Sequence, residues 1–153
     1  MIDPAIAGRE LGSFRVPIDR SKLAELARAH HDDDPVWYDE AAAADAGFDT
    51  IPVPPTVTVL ADHWRPGGAL GPALAIGADV ERLLHGEASW EYLEPITVGD
   101  ELTATARVTD VAEREGKRGG TMTLVTIQTD FANQHGQLVA RRRDTLIETA
   151  GAG

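Results

Sequence analysis

Asp32, Asp33 and Asp34 stand in a row after two adjacent histidines, His30 and His31, and before Pro35. Carboxylates and imidazoles pass protons near neutral pH, and carboxylates set side by side repel, which raises one pKa. The stretch therefore has the parts of an acid–base centre, with Asp32 and His31 as candidate catalytic residues. The same residue types also build Asx turns, where a carboxylate only accepts from nearby backbone amides. His85, in Leu84-His85-Gly86-Glu87, is the third candidate acid or base. Its alternative role is a structural hydrogen bond where the chain enters a sheet. His30 and His63 fall on apolar helical stretches and read as core or interface residues.

Other chemistries are weaker or excluded. The chain has no cysteine, which rules out disulfides, thiolate nucleophiles, iron–sulfur clusters and cysteine zinc sites. No histidines and carboxylates at ligand spacing share one face, so no metal is expected. Pro66-Gly67-Gly68 lacks the strand–loop–helix context of a nucleotide-binding loop. Arg141-Arg142-Arg143 is the one basic cluster. On a strand, Arg141 and Arg143 share a face, suited either to phosphates or to local ion pairs. Trp90 and Tyr92 share a strand face too, as ordinary packing or as the wall of an apolar tunnel.

These residues need elements to hold them. Ser13–Ile18 reads as a short edge strand, with Pro17 inside it. Asp19 caps a helix to about His31, with Leu23, Leu26, Ala27 and His30 on one stripe. Pro35 breaks it, and Asp39 and Gly47 bracket a second short helix. For Thr56–Trp64 strand and buried helix compete, and the prolines before it favour a helix start. Residues 66–78 read as an irregular connector. Then the pattern changes to period 2, giving four strands: Ser89–Ile96, Glu101–Val111, Thr121–Phe131 and Leu138–Glu148. In the second of these, Leu102, Ala104, Ala106 and Val108 face one way. In the third, Val125, Ile127, Thr129 and Phe131 share a face. Helices first and an antiparallel meander second argue an α+β domain of about five strands.

The 153 residues suit one domain, expected over residues 13–149, between a flexible segment at 1–12 and a flexible tail at 150–153. At 42% hydrophobic residues it can bury a core without staples. The net charge of -11 makes it a poor binder of nucleic acid. No apolar run reaches membrane-span length and no signal peptide opens the chain, so a cytoplasmic protein is expected.

Two segments carry a family resemblance: ARAHHDDDPVWYDEAAAADAGFDTIPVPPT, from Ala27 to Thr56, and LHGEASWEYLEPITVGDEL, from Leu84 to Leu102. Their most specific parts are Asp32-Asp33-Asp34-Pro35, Gly47-Phe48 followed by Pro54-Pro55-Thr56, and Pro95-Ile96-Thr97-Val98-Gly99-Asp100. From about Phe14 to Ile147 the chain resembles the MaoC-like hot-dog dehydratases and hydratases. More narrowly, it is similar to their N-terminal, FAS1-like type, which includes the non-catalytic subunit of mycobacterial-type (3R)-hydroxyacyl-ACP dehydratases. The resemblance implies a hot-dog fold, a curled antiparallel sheet wrapped around one long central helix. It also implies a pair of such domains with an acyl-thioester arm at their interface.

Catalytic members of that family carry Gly-Asp-x-Asn-Pro-x-His, whose Asp and His supply the acid and base. Here His31 takes the Gly place, Asp32 the Asp place and Asp34 the Asn place, while Pro35 matches. Trp37 stands where the His belongs, and an indole can only donate a hydrogen bond. Half of the acid–base pair is absent. The resemblance therefore implies an acyl-binding half that depends on an Asp/His-bearing partner. Candidate substrate-binding residues are Asp34, Trp37, Tyr38, Pro55, Thr56, Trp90, Arg141 and Arg143. The expected activity is reversible elimination of water from a 3-hydroxyacyl thioester. No cofactor is expected beyond the CoA or phosphopantetheine that the substrate carries, and the partners are acyl-CoA or acyl carrier protein and a second hot-dog subunit. A self-sufficient homodimeric hydratase, an acyl-thioester-binding module without chemistry and a hot-dog thioesterase stand as alternatives.

Overall fold

The computed structural model describes residues 2–116 and 120–150. After a 3₁₀ turn at Pro4–Ile6 the chain forms β1 (Glu10–Pro17), then runs through α1 (Arg20–Ala29), α2 (Glu40–Asp45), α3 (Val57–Leu60) and α4 (Gly71–Ala75). Four strands follow: β2 (Leu83–Tyr92), β3 (Glu101–Glu115), β4 (Thr121–Ala132) and β5 (Leu138–Glu148). All five strands join in one antiparallel sheet, in the order β1-β3-β4-β5-β2. The curled five-stranded sheet with helices on one face is the expected α+β hot-dog architecture.

Alternation sets the inner face. Leu102, Ala104, Ala106 and Val108 of β3 are buried, and Thr103, Thr105, Arg107 and Thr109 are exposed. Val125, Ile127, Thr129 and Phe131 of β4 are buried beside them. The main core gathers Phe131, Leu102 and Val16 with Leu23 of α1 and Val57 of α3. Each such buried side chain contributes roughly 1.5–3 kcal/mol of transfer free energy. At the β4–β5 hairpin the Asn133 carboxamide oxygen accepts from His135 N and Gln137 N at 3.0 and 3.1 Å.

The bounds differ from the sequence reading in several places, and β3 runs on to Glu115, past Val111. β1 starts at Glu10, not Ser13, because a register shift at Glu10/Gly12 lets the chain pair with β3 earlier. Packing starts earlier still: Ile2 is buried, and its amide donates to Glu148 Oε2 at 2.8 Å. β2 spans Leu83–Tyr92, not Ser89–Ile96, so His85 lies within the sheet. The stretch 66–78 holds a 3₁₀ turn, Gly68–Leu70, and then α4. Lastly, the long central helix is a relay of short pieces: α3, a 3₁₀ turn at Ala61–His63, and α4 after a break. The β-branched run Thr56–Val59 propagates a helix poorly, and Pro66 lacks an amide. Gly67 and Gly68 both take positive φ. At Gly71 any Cβ would run into the Pro66 carbonyl oxygen, so the reversal needs glycine there. Of the tail expected at 150–153, only Ala150 is among the described residues. Met1 of the leading segment and residues 117–119 of the β3–β4 turn also lie outside them.

Candidate functional site

The aspartate loop is built by its own side chains. α1 ends with Asp32 N donating to Ala27 O at 2.9 Å and His31 N to Arg28 O at 3.1 Å. That is the Schellman pattern, whose C′ residue is left-handed and usually glycine. His31 fills the position at φ +56, the one non-glycine residue at positive φ among those described. The loop thus keeps the geometry of a glycine turn without the glycine. Asp32 Oδ1 accepts from Asp34 N at 3.1 Å, and Asp34 Oδ1 from Val36 N at 3.0 Å. Tyr38 OH donates to Asp32 O at 2.9 Å. Trp37 closes a 3₁₀ turn over Pro35–Trp37, half-buried. One oxygen each of Asp32 and Asp34 is engaged in turn building. Asp32 and His85 do not line a common cavity among those described.

The densest polar arrangement lies elsewhere, in a cavity of about 350 Å³ between the sheet and the helical break. Gly86 forms a bulge in β2, shifting register between His85 and Glu87. A Cβ there would press on Ile147. The extra residue turns His85 to the inner face, three positions before Ala88, which pairs with Asp144. The sheet then presents a chain of ions. His85 Nε2 lies 3.0 Å from Asp144 Oδ1, and Asp144 Oδ2 lies 2.7 Å from Arg142 Nε. Arg142 Nη1 donates to Asp62 Oδ2 at 3.2 Å, and Arg65 Nε to Asp62 Oδ1 at 3.2 Å. Arg65 ends the chain, 4.8 Å over the Phe14 ring and 3.4 Å from Thr129 Oγ1.

Burial and the neighbouring carboxylates act against each other along this relay. Burial opposes the Arg142 charge, but Asp144 and Asp62 outweigh it and hold its pKa above the usual guanidinium value. For Arg65 burial wins, despite Asp62, and its pKa lies below that value. Leu70, Leu83, Ile127 and Leu146 line the rest of the cavity with hydrocarbon. His85 stands at the wet end, its side chain 54% exposed, while the Asp144 side chain is 11% exposed. A histidine held by a buried carboxylate can exchange protons through its other nitrogen.

The remaining candidates separate. Trp90 and Tyr92 share the inner face of β2, opposite Arg142 and Ala140, and are 40% and 47% exposed. Tyr92 OH donates to Pro55 O at the rim of a second apolar cavity, of about 400 Å³, which Pro55 and Tyr92 line. Thr56 precedes α3, exposed and without a capping hydrogen bond. Arg141 pairs with Asp130 at 2.7 Å and Glu91 at 3.6 Å. Arg143 Nε donates to Gln128 Oε1 at 3.1 Å. Both thus have local partners on the outer face, and Arg142 is the arginine that enters the cavity. Asp62, Arg65, Arg142, Asp144 and Thr129 are absent from the sequence-based candidates. Their signal was an i,i+3 ion pair inside an apolar stretch and two opposite charges two residues apart on a sheet's buried face. Among the described residues no group of three or more His, Asp or Glu side chains is placed to hold a metal ion. No helix among them is long and apolar enough to cross a membrane.

Comparison with known proteins adds an independent line. The sequence profile of the FAS1-like dehydratase domain region matches residues 5–142. A UPF0336 protein of Clavibacter michiganensis subsp. michiganensis is 32% identical over 147 residues, covering 95% of each chain. The C-terminally truncated HadBC complex of Mycobacterium tuberculosis, a (3R)-hydroxyacyl-ACP dehydratase, contains a chain 28% identical to this one. It superposes with a TM-score of 0.71 over 93% of this chain and 96% of its own. A MaoC-like dehydratase, 26% identical, superposes with a TM-score of 0.76 over 96% of this chain and 43% of its longer one.

Proposed function

Because the chain belongs to the FAS1-like dehydratase domain family of MaoC-like hot-dog proteins, we propose that it is the acyl-binding subunit of an (R)-specific 3-hydroxyacyl-thioester dehydratase, equally an enoyl-thioester hydratase. In the dehydration direction a base removes the α-proton, the β-hydroxyl leaves with a proton as water, and donors hold the enolate-like thioester oxygen. The chain's own loop offers Asp32, with Trp37 in place of a histidine. The Asp/His pair that moves both protons comes from a partner hot-dog subunit. The observation that carries the reading is the apolar cavity of about 350 Å³ where the central helix breaks. Its size and largely apolar lining suit an acyl segment. The likeness to a chain of the HadBC complex supports the same division of labour. The substrate brings CoA or phosphopantetheine, and no other cofactor enters the reaction.

The test is enoyl-thioester hydration by this chain alone, by a hot-dog partner bearing Gly-Asp-x-Asn-Pro-x-His, and by the two together. Activity is expected only in the complex, and Asp32→Asn should lower it less than about tenfold. Full turnover by this chain alone, abolished by His85→Ala, would instead favour a self-sufficient homodimer. The contact between His85 and Asp144 is the feature that supports that second reading.

A further inference from the structure

The cavity at the helical break joins two properties that a plain hydrocarbon ligand cannot satisfy together. Leu70, Leu83, Ile127 and Leu146 make it apolar, yet Arg65, Arg142, Asp62 and Asp144 also line it. A saturated chain laid against these ions strips their water and returns no hydrogen bond, which is costly for charged groups. The guanidinium and carboxylate groups are balanced, two against two, with His85 at the mouth paired to Asp144, so each guanidinium charge already has a carboxylate beside it. What is in surplus is donors. All four carboxylate oxygens of Asp62 and Asp144 face a partner. Among the described residues Arg142 Nε is buried without a well-aligned hydrogen bond although it lies 2.7 Å from Asp144 Oδ2, Arg142 donates through Nη1 and Arg65 through Nε to Asp62, and Arg65 Nη2 reaches Thr129 Oγ1 only at 3.4 Å. A neutral oxygen acceptor within an otherwise apolar ligand meets both conditions, since it uses the donors and leaves the charges balanced.

We propose that this cavity selects acyl chains bearing a neutral oxygen function, a ketone or hydroxyl remote from the thioester, held by the guanidinium groups of Arg65 and Arg142. This rests on the acyl-binding reading above and names its substrate class. The cavity is then a reader of chain oxidation, and the reaction that supplies its substrate leaves a carbonyl or hydroxyl along the chain.

The experiment measures the affinity of the full chain for decanoyl-CoA, for oxodecanoyl-CoA with the ketone in mid-chain or near the end, and for the ω-carboxy analogue. At least one oxo isomer should bind about tenfold tighter than decanoyl-CoA, the scale of one charge-assisted hydrogen bond kept. The ω-carboxy chain should bind more weakly than that isomer. Arg142→Lys and Arg65→Lys, which keep the charge and lose the fork, should reduce the preference to about twofold or less. The comparison on the unaltered protein needs no variant, so a misfolded variant does not blunt it. Equal affinity for decanoyl-CoA and every oxo isomer overturns the inference and leaves the acyl-binding reading standing. So does tighter binding of the ω-carboxy chain, or a preference unchanged in both folded variants. Failure of all these thioesters to bind overturns the acyl-binding reading and this inference together.

Discussion

His31 is the residue whose conformation its side chain opposes most. At φ +56 it occupies a left-handed site where a Cβ costs about 1 kcal/mol. His31→Gly should therefore raise stability by roughly 0.5–1 kcal/mol, the gain being smaller than the full strain because glycine is freer in the unfolded chain. Chemical denaturation read by tryptophan fluorescence checks it. A lower midpoint would mean that the imidazole makes contacts worth more than the backbone strain. At this scale the sequence was half legible. Runs of Asp after a helix and before a proline announce turn-building carboxylates, and Asp32 and Asp34 each accept from an amide two residues on. His85 was visible as a candidate, but its partner Asp144 was not. The two are 59 residues apart in the chain and meet only through the β2–β5 register.

Among elements, the end of β5 has a second, quieter anchor. The buried carboxylate of Glu148 accepts from Ile2 N and from Asp79 N, both at 2.8 Å, with Arg82 at 3.7 Å. It ties β5 to the leading segment and to the connector before β2. Burial pushes its pKa up, but those amides and the positive charges around it outweigh burial and hold the carboxyl below its ordinary value. A group whose pKa is lower folded than unfolded lends stability that is present above the unfolded value, about 4.3, and is lost as pH falls through the folded one. Thermal melts of the native chain should therefore lose part of their midpoint on acidification below about pH 4.5. In Glu148→Gln that part of the slope should vanish, with a cost of about 1–3 kcal/mol at pH 7. An unchanged acid slope in the variant would assign the loss to other carboxylates. The strands were legible because alternation over β3 and β4 is regular. The helical relay was not, since an apolar stretch of nine residues carries no sign of where the following Pro66-Gly67-Gly68 will turn it.

On the scale of the molecule, charge and apolar surface pull in different directions. A net charge of -11 repels CoA and acyl carrier protein at long range, and Arg141 and Arg143 have acidic neighbours at Glu91 and Asp130. An anionic carrier would therefore dock only through a partner or short-range contacts. The apolar surface gathers at β2, where Leu84, Trp90, Tyr92 and the adjoining Leu93 are all exposed. β2 is an outer strand of the sheet. Trp90→Glu should leave the isolated chain folded, because that side chain is already 40% exposed. It should abolish association with a hot-dog partner, read as loss of the faster-sedimenting species in analytical ultracentrifugation. An undiminished complex would move the interface away from this strand.

The two outer strands are not alike. β1 is kinked at Gly12 and ends in Pro17, both of which spoil further pairing, whereas β2 runs ten residues with Gly86 its one irregularity. A sheet with one receptive margin and one closed margin can be extended once. Two such units that meet at their receptive margins leave only closed ones outside. An assembly built that way would terminate at a pair instead of propagating into a filament, with the exposed aromatic residues of β2 covered inside it.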